Sequence, residues 1–210
     1  MMQGKFKIIL WDFDGVIFNS MKIKEKGFRK LFNEFDEKLI DTFIKFHHQN
    51  GGMPRFEKIK YFYEELLKQN ITQNKINQLA NKYGEIIQKE LFNKNNLIED
   101  SFNFIKQNYK KYNFHIVSGA EHNELNQLCK FLEIDKYFIT IEGSPTLKKD
   151  LIKNLLQKYD YQKKEVCLIG DSINDYKAAE FNGIKFYAYN NENLKQFDYI
   201  KDFNEFFSDK

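Results

Sequence analysis

Cysteine is nearly missing from this chain. Of 210 residues only Cys129 and Cys167 carry a thiol, which gives neither a disulfide framework nor a zinc-ligand spacing. Cys167 falls inside an apolar run and Cys129 in a helical stretch. Both read as buried thiols, and the chain as a protein of a reducing compartment, the cytoplasm. No run reaches the ~20 apolar residues needed to cross a bilayer, and the first residues lack the pattern of a secretory leader. Charge of one sign is not in excess: 33 Lys and Arg stand against 30 Asp and Glu, a net +3. With no long basic run, neither nucleic acid nor a membrane is an expected partner. Proline is limited to Pro54 and Pro145, both where helices are expected to begin. Alanine and valine are sparse, and 22 Phe with 12 Tyr take over the filling of the core. The length suits one large domain, or a core carrying a smaller insert.

Five short apolar runs read as strands, at 6–11, 114–117, 137–141, 166–169 and 184–189. The first, second and fourth are almost continuously apolar, as in parallel strands covered on both faces. From residue 114 onward, strands alternate with helical patterns. One helix is expected over 145–159, with Ser144 as N-cap and Pro145 at the first helical position. Another is expected over 174–181, closed by Asn182-Gly183. The fold class is therefore α/β, with a Rossmann-like parallel sheet. Between the first two strands lie about a hundred residues without a convincing strand, which read as helices over 21–35, 38–48, 54–68, 72–92 and 99–109. A crossover needs only one helix, so the excess reads as a helical insert. The expected division is a core of residues 1–16 and 96–210 with a helical domain over 17–95, joined through polar segments near Asn19 and Asn93–Asn96. Such an insert would hang over the strand ends, where open α/β sheets bind ligands.

Two acidic clusters sit at strand ends. Asp12-Phe13-Asp14-Gly15 follows the run 7–11, and Gly170-Asp171-Ser172-Ile173-Asn174-Asp175 follows the run 166–169. Carboxylates two apart point to opposite faces within a strand, but past its end, where the chain turns at Gly15, both can aim at one crevice. Buried acidic tips are costly in a core, yet they supply the hard oxygen ligands that Mg²⁺ prefers at phosphate sites.

Taken together with Ser118-Gly119 and with a lysine at 148 or 149, these clusters resemble, in order and position, the four motifs of the haloacid dehalogenase-like phosphohydrolases. The insert resembles the helical cap of their phosphoglycolate phosphatase and β-phosphoglucomutase branch. The resemblance covers nearly the whole chain. It implies a Mg²⁺-dependent phosphatase that hydrolyses a small phosphomonoester, phosphoglycolate- or sugar-phosphate-like, through an aspartyl-phosphate. Asp12 would be the nucleophile. Asp14 would protonate the leaving alcohol and then deprotonate water. The Asp12 and Asp171 carboxylates and the Asp14 carbonyl would hold the metal, with Asp175 supporting Asp171 and the lysine from behind. Ser118 and the Gly119 amide would cradle the phosphate, although taken alone Ser118 reads equally as a cap for the next helix. Successive helix positions diverge by about 100°, so only one of Lys148 and Lys149 can face the site. The resemblance favours Lys148, for both catalysis and phosphate binding.

The resemblance also implies a substrate-specificity loop near the break Gly51-Gly52-Met53-Pro54-Arg55. Arg55 offers a planar fork for a carboxylate or second phosphate, against the alternative of a solvated connector residue; Lys58 is the weaker choice. His47 and His48 are adjacent, diverge on a helix, and suit a helix end better than a metal pair. His115 reads as a packed core residue and His122 as exposed. Asn19-Ser20 stands where many relatives have Asp-Ser, a departure that bears on hinging or substrate contact. Three readings stay open: a phosphatase, a phosphosugar mutase on the same scaffold, and a non-catalytic binding module. The expected partner is a small phosphorylated metabolite, and the expected assembly a monomer or homodimer. A dehalogenase and a phosphonatase are disfavoured because Asp14 is present.

Overall fold

The computed structural model describes residues 6–203. In chain order these form β1 (Ile8–Trp11), α1 (Met21–Leu31), α2 (Glu37–Gln49), α3 (Arg55–Tyr61), α4 (Gln73–Leu91), α5 (Glu99–Asn108), β2 (Asn113–Glu121), α6 (His122–Phe131), β3 (Thr140–Ser144), α7 (Lys148–Lys158), β4 (Val166–Gly170), α8 (Ile173–Asn182), β5 (Lys185–Tyr189) and β6 (Tyr199–Ile200). The six strands make one sheet in the order β3-β2-β1-β4-β5-β6, and every pair is parallel. The order reverses direction between β1 and β4, so the crevice at their carboxyl ends is the natural ligand site.

Alternation along the strands sorts two cores onto the two faces. Ile9, Trp11, Phe114, Ile116, Cys167 and Ile169 join the face packed by Phe104 of α5 and Leu128 of α6. Ile8, Leu10, Val117, Val166 and Leu168 pack instead on Leu151 and Leu155 of α7 and on Ala178 and Ala179 of α8. Both thiols are buried, and burial pushes Cys129 up to about 12, which leaves it inert.

The segment between β1 and α5 carries helices joined by turns and no strand, as expected. Asp36 starts α2 by accepting from the Lys38 and Leu39 amides, and Thr72 starts α4 by accepting from Lys75. Phenylalanines hold these helices together: Phe32 stacks on Phe62 at 3.8 Å and 7°, and Phe43 meets both edge-on. This aromatic core is continuous with the aromatic face of the sheet. The chain leaves and re-enters the sheet region at adjoining points, where the Asn19 amide donates to the Asn96 carbonyl at 2.7 Å and Phe18 bridges Leu97.

Four elements differ from expectation, the first being an unexpected sixth strand, β6, a two-residue edge paired with β5. The third strand lies at 140–144 rather than 137–141, because Asp135–Tyr137 form a 3-10 turn and the pairing with β2 begins only at His115 and Thr140. The helix expected from Pro145 begins at Lys148. Ser144 ends β3 paired with Glu121, its hydroxyl donates to the Ala120 carbonyl at 3.0 Å, and the N-cap position falls on Leu147 instead. The helix expected over 54–68 shortens to α3 and widens into a π turn over Phe62–Leu66, at the residue that centres the aromatic stack. Gly183 closes α8 with φ +67°, as expected for a left-handed cap.

Candidate active site

Asp12 stands one residue beyond β1, where its amide still donates to the Ile169 carbonyl of β4 at 2.9 Å. The chain then turns: the Ile17 and Phe18 amides both donate to the Phe13 carbonyl. Gly15 adopts φ +78°, and a Cβ there would fall 1.9 Å from Asp171 Oδ2. Only glycine satisfies both demands. The two acidic tips are thereby brought into contact across the crevice.

Asp12, Asp171 and Asp175 can each offer an oxygen within 4.8 Å of the others. Lys148 Nζ lies 2.7 Å from Asp12 Oδ1 and pairs with Asp175 as well. Asp175 is fully engaged. Its second oxygen accepts from the Ser172 amide at 3.0 Å and the Ser172 hydroxyl at 2.6 Å, in a capping box that starts α8. Asp12 is different, because both its oxygens are buried, Oδ1 faces only the Lys148 ammonium and Oδ2 has no hydrogen-bond partner. Burial, and then Asp175, push the Asp12 carboxyl up to about 7, with Lys148 opposing. Burial and then Asp12 also raise Asp171 well above the usual carboxylate range. For Lys148, burial works against the charge, but Asp12 and Asp175 outweigh it and lift the ammonium above its usual value. Three carboxylates against one ammonium leave a surplus of buried negative charge and unbonded oxygen. A hard divalent cation fits that donor set.

Asp14 is held differently. It accepts from the Ser20 hydroxyl at 2.5 Å and pairs with Lys24 of α1. Burial works to raise its carboxyl, but Lys24 and Ser20 lower it overall, so it stands ionised. Ser118, on β2, is fully buried and accepts from the Ala120 amide at 3.1 Å. Beside it, a Cβ at Gly119 would sit 2.1 Å from the Gly52 carbonyl. The Gly51-Gly52 turn of the helical insert thus rests directly on the Ser118-Gly119 segment, and Asn174 of α8 fastens it by donating to the Gly51 carbonyl at 2.8 Å.

The structure therefore gathers Asp12, Asp14, Ser118, Gly119, Lys148, Asp171 and Asp175 at one crevice. Lys149 lies outside it, over the Phe181 ring at 5.2 Å. Arg55 borders the adjoining cavity, with its guanidinium already committed. It pairs with Glu124 of α6, donates to the Ala80 carbonyl at 3.4 Å, and lies 5.0 Å from the centre of the Tyr83 ring. His47 and His48 end α2 as expected; His115 is fully buried, and His122 is partly exposed beside Glu142.

Sequence reasoning missed Lys24, Glu124, Asn174, Asn190 and Asn191. The last two tie the acidic loops from the end of β5, donating to the Gly15 carbonyl at 2.9 Å and the Asp171 carbonyl at 2.7 Å. A signal existed for Lys24 alone, one helical turn after Ser20 and so on the same side of α1. The cavity over the site is about 30 Å³ and is bordered by Asp14, Lys24, His47, Gly52, Lys58 and Gly119. It has room for about one or two waters.

A family model described as haloacid dehalogenase-like hydrolase matches residues 9–189. Among curated proteins no sequence matches this chain. Solved structures with the same fold include β-phosphoglucomutase from Clostridium difficile, at TM-score 0.77 and 16% identity, covering 95% of this chain and 92% of that one. CbbY from Rhodobacter sphaeroides, solved in complex with phosphate, matches at TM-score 0.75 and 15% identity over 96% of each chain. A protein described as a predicted phosphoglycolate phosphatase, from Haemophilus somnus, matches at TM-score 0.73 and 16% identity over 97% of each chain. Identities this low establish the shared fold. With that fold, the acidic strand ends at the switch point and a family match from β1 to β5, the chain belongs to the haloacid dehalogenase-like hydrolases.

Proposed function

We propose that the chain is a Mg²⁺-dependent phosphatase acting on a small phosphomonoester through an aspartyl-phosphate. The observation that carries this reading is Asp12: a buried carboxylate with Oδ1 against Lys148, Oδ2 unbonded, and Asp171 within reach. Asp12 would attack phosphorus. Lys148 holds that carboxylate against the pull of burial and would neutralise the incoming phosphate. Ser118 and the Gly119 amide would take the phosphate oxygens.

Asp12 and Asp171, with the Asp14 carbonyl, are the residues that would hold Mg²⁺, a Lewis acid that lets an anionic nucleophile approach an anionic phosphate. Asp175 would keep Lys148 and Ser172 in place. Asp14 would serve as acid and then as base, a role typically contributing ~10²–10⁴-fold. With Lys24 beside it Asp14 is ionised, fit for the base half. The acid half needs the Lys24 ammonium to swing away, which its flexible side chain allows.

Residues 17–95 form the proposed cap domain. The hydrogen-bonded pair Asn19 and Asn96 marks where it would hinge, and opening there would enlarge the cavity of about 30 Å³ for substrate. Arg55 keeps its place in the proposal as a cation bordering the substrate cavity, and its truncation to alanine is expected to raise KM several-fold. The same tight closure favours one second reading, a phosphosugar mutase, since a cap that excludes water would let the phosphoryl group return to a hydroxyl. The proposed partner is a small phosphorylated metabolite and the proposed setting the cytoplasm, where free buried thiols persist.

The test is phosphate release from a panel of phosphorylated metabolites, with Mg²⁺ and with a chelator. Metal-dependent release, abolished in Asp12→Asn while the fold is retained, is the expected result. Undiminished release by Asp12→Asn would end the mechanism. Isomerisation of a hexose 1-phosphate to the 6-phosphate without released phosphate would give the mutase.

A further inference from the structure

Three cations of the helical insert border the cavity over the site: Lys24, Arg55 and Lys58. Lys24 is paired with Asp14 and Arg55 with Glu124. Among the described residues Lys58 has no carboxylate partner, although its side chain is almost fully buried. Its ammonium donates to His47 Nδ1 at 3.0 Å and lies 3.4 Å from the His47 carbonyl. With Lys58 protonated, Nδ1 accepts and the ring proton sits on Nε2. His47 Nε2 is itself buried with no hydrogen-bond partner.

The pair therefore presents a buried cation and a buried N–H donor with no acceptor of matching charge. An unsatisfied buried donor is costly, and an unpaired buried charge more so. Burial first, and then Lys24, pull the Lys58 ammonium down to about 7, against Asp14 and Asp171 across the crevice. Each of these costs would be relieved by an anionic group seated beside Lys58. The phosphoryl group bound for Asp12 already has Lys148, Ser118 and Gly119 as its partners on the sheet side. The vacancy is on the insert side, so it calls for a second anion on the same substrate.

We infer that Lys58, backed by His47, is the specificity-determining residue that reads a second anionic group, a carboxylate or another phosphate, on the phosphomonoester substrate. The inference rests on the phosphatase reading and sharpens it. It also moves the reader of the distal group from Arg55, whose fork Glu124 occupies, to the lysine one turn along α3.

The experiment compares kcat/KM of the intact protein with Mg²⁺ for matched pairs: phosphoglycolate against 2-hydroxyethyl phosphate, and a sugar bisphosphate against the same sugar monophosphate. A charged hydrogen bond supports a preference of roughly 10- to 100-fold for the partner carrying the second anionic group, and the pair that shows it says which anion is read. In Lys58→Met the preference should collapse towards unity, with the loss mainly in KM, and Lys58→Arg should restore most of it. Should Lys58→Met not fold, the preference of the wild type and its retention in Lys58→Arg decide alone. Phosphate release without preference for a second anion, or a preference that survives in Lys58→Met, overturns the inference and leaves the phosphatase reading standing. A wild type that turns over no phosphomonoester overturns both.

Discussion

His115 and His47 are both buried imidazoles, one in the sheet and one in the helical insert, and they are partnered differently. His115 has a hydroxyl on each nitrogen, Thr140 Oγ1 at 2.8 Å and Tyr161 Oη at 3.0 Å. His47 has Lys58 on one nitrogen and nothing on the other. The same contrast separates the surroundings. On the sheet side, Asp175, Ser172 and Lys148 satisfy one another within a few ångströms, and only Asp12 and Asp171 are left wanting a cation. On the insert side, Lys24 borrows the carboxylate of Asp14 and Lys58 borrows none. A finished polar network fixes a scaffold. An unfinished one, enclosed and of one charge sign, marks where something else binds.

The largest break in this contrast is expected from Lys148→Met. It leaves Asp12 and Asp175 as buried carboxylates with their shared cation gone, a loss of about 3–5 kcal/mol. Turnover should fall by about 10²–10³-fold, as when a fixed charge-stabilising donor is removed. Urea unfolding and phosphate release read the two effects, and a variant as stable as wild type would show that the sheet-side network is not the tight unit described here. Next comes Glu124→Gln, which strands the Arg55 guanidinium between insert and core. A loss of about 3 kcal/mol, or roughly 6–12 °C in Tm, is expected. An unchanged Tm would mean that this contact does not hold the insert down.

The two histidines give a smaller effect with a definite sign. Burial lowers His115 from its usual value to about 4 and, with help from Lys58, His47 to about 2. A histidine held below its unfolded value favours the fold fully above about pH 6.5, and that contribution fades as pH falls towards the folded value. Between pH 6.5 and pH 5 each should withdraw about 2 kcal/mol. His115→Gln should therefore unfold with a shallower pH dependence than wild type in that window. Identical slopes would refute the buried neutral state of His115.

The sheet side was legible in the sequence because its signals are local. A continuous apolar run names a covered parallel strand, and an Asp at its end names the crevice, so Asp12, Asp14 and Asp171 follow from short stretches of chain. The insert was legible only as helices. Its polar contacts join residues far apart, Arg55 with Glu124 and Lys58 with His47, across turns whose geometry no periodicity records. Arg55 read as free for substrate because its partner lies 69 positions along the chain. Ser144 misread for a related reason: it stands before a proline and a helix, but the sheet register claims it first.

The smallest effect belongs to the pair that helix geometry alone left undivided and the family resemblance split in favour of Lys148. Lys148 and Lys149 are adjacent at the start of α7, and the turn of the helix sends the first into the crevice and the second over Phe181. An exposed cation–π contact is worth about 0.5–1 kcal/mol, so Lys149→Ala should shift stability by less than about 1 kcal/mol. It should leave phosphate release unchanged, against the collapse expected one residue earlier. Equal losses at the two positions would mean that α7 is set in another rotation, and that the lysine facing Asp12 is not fixed by the register seen here.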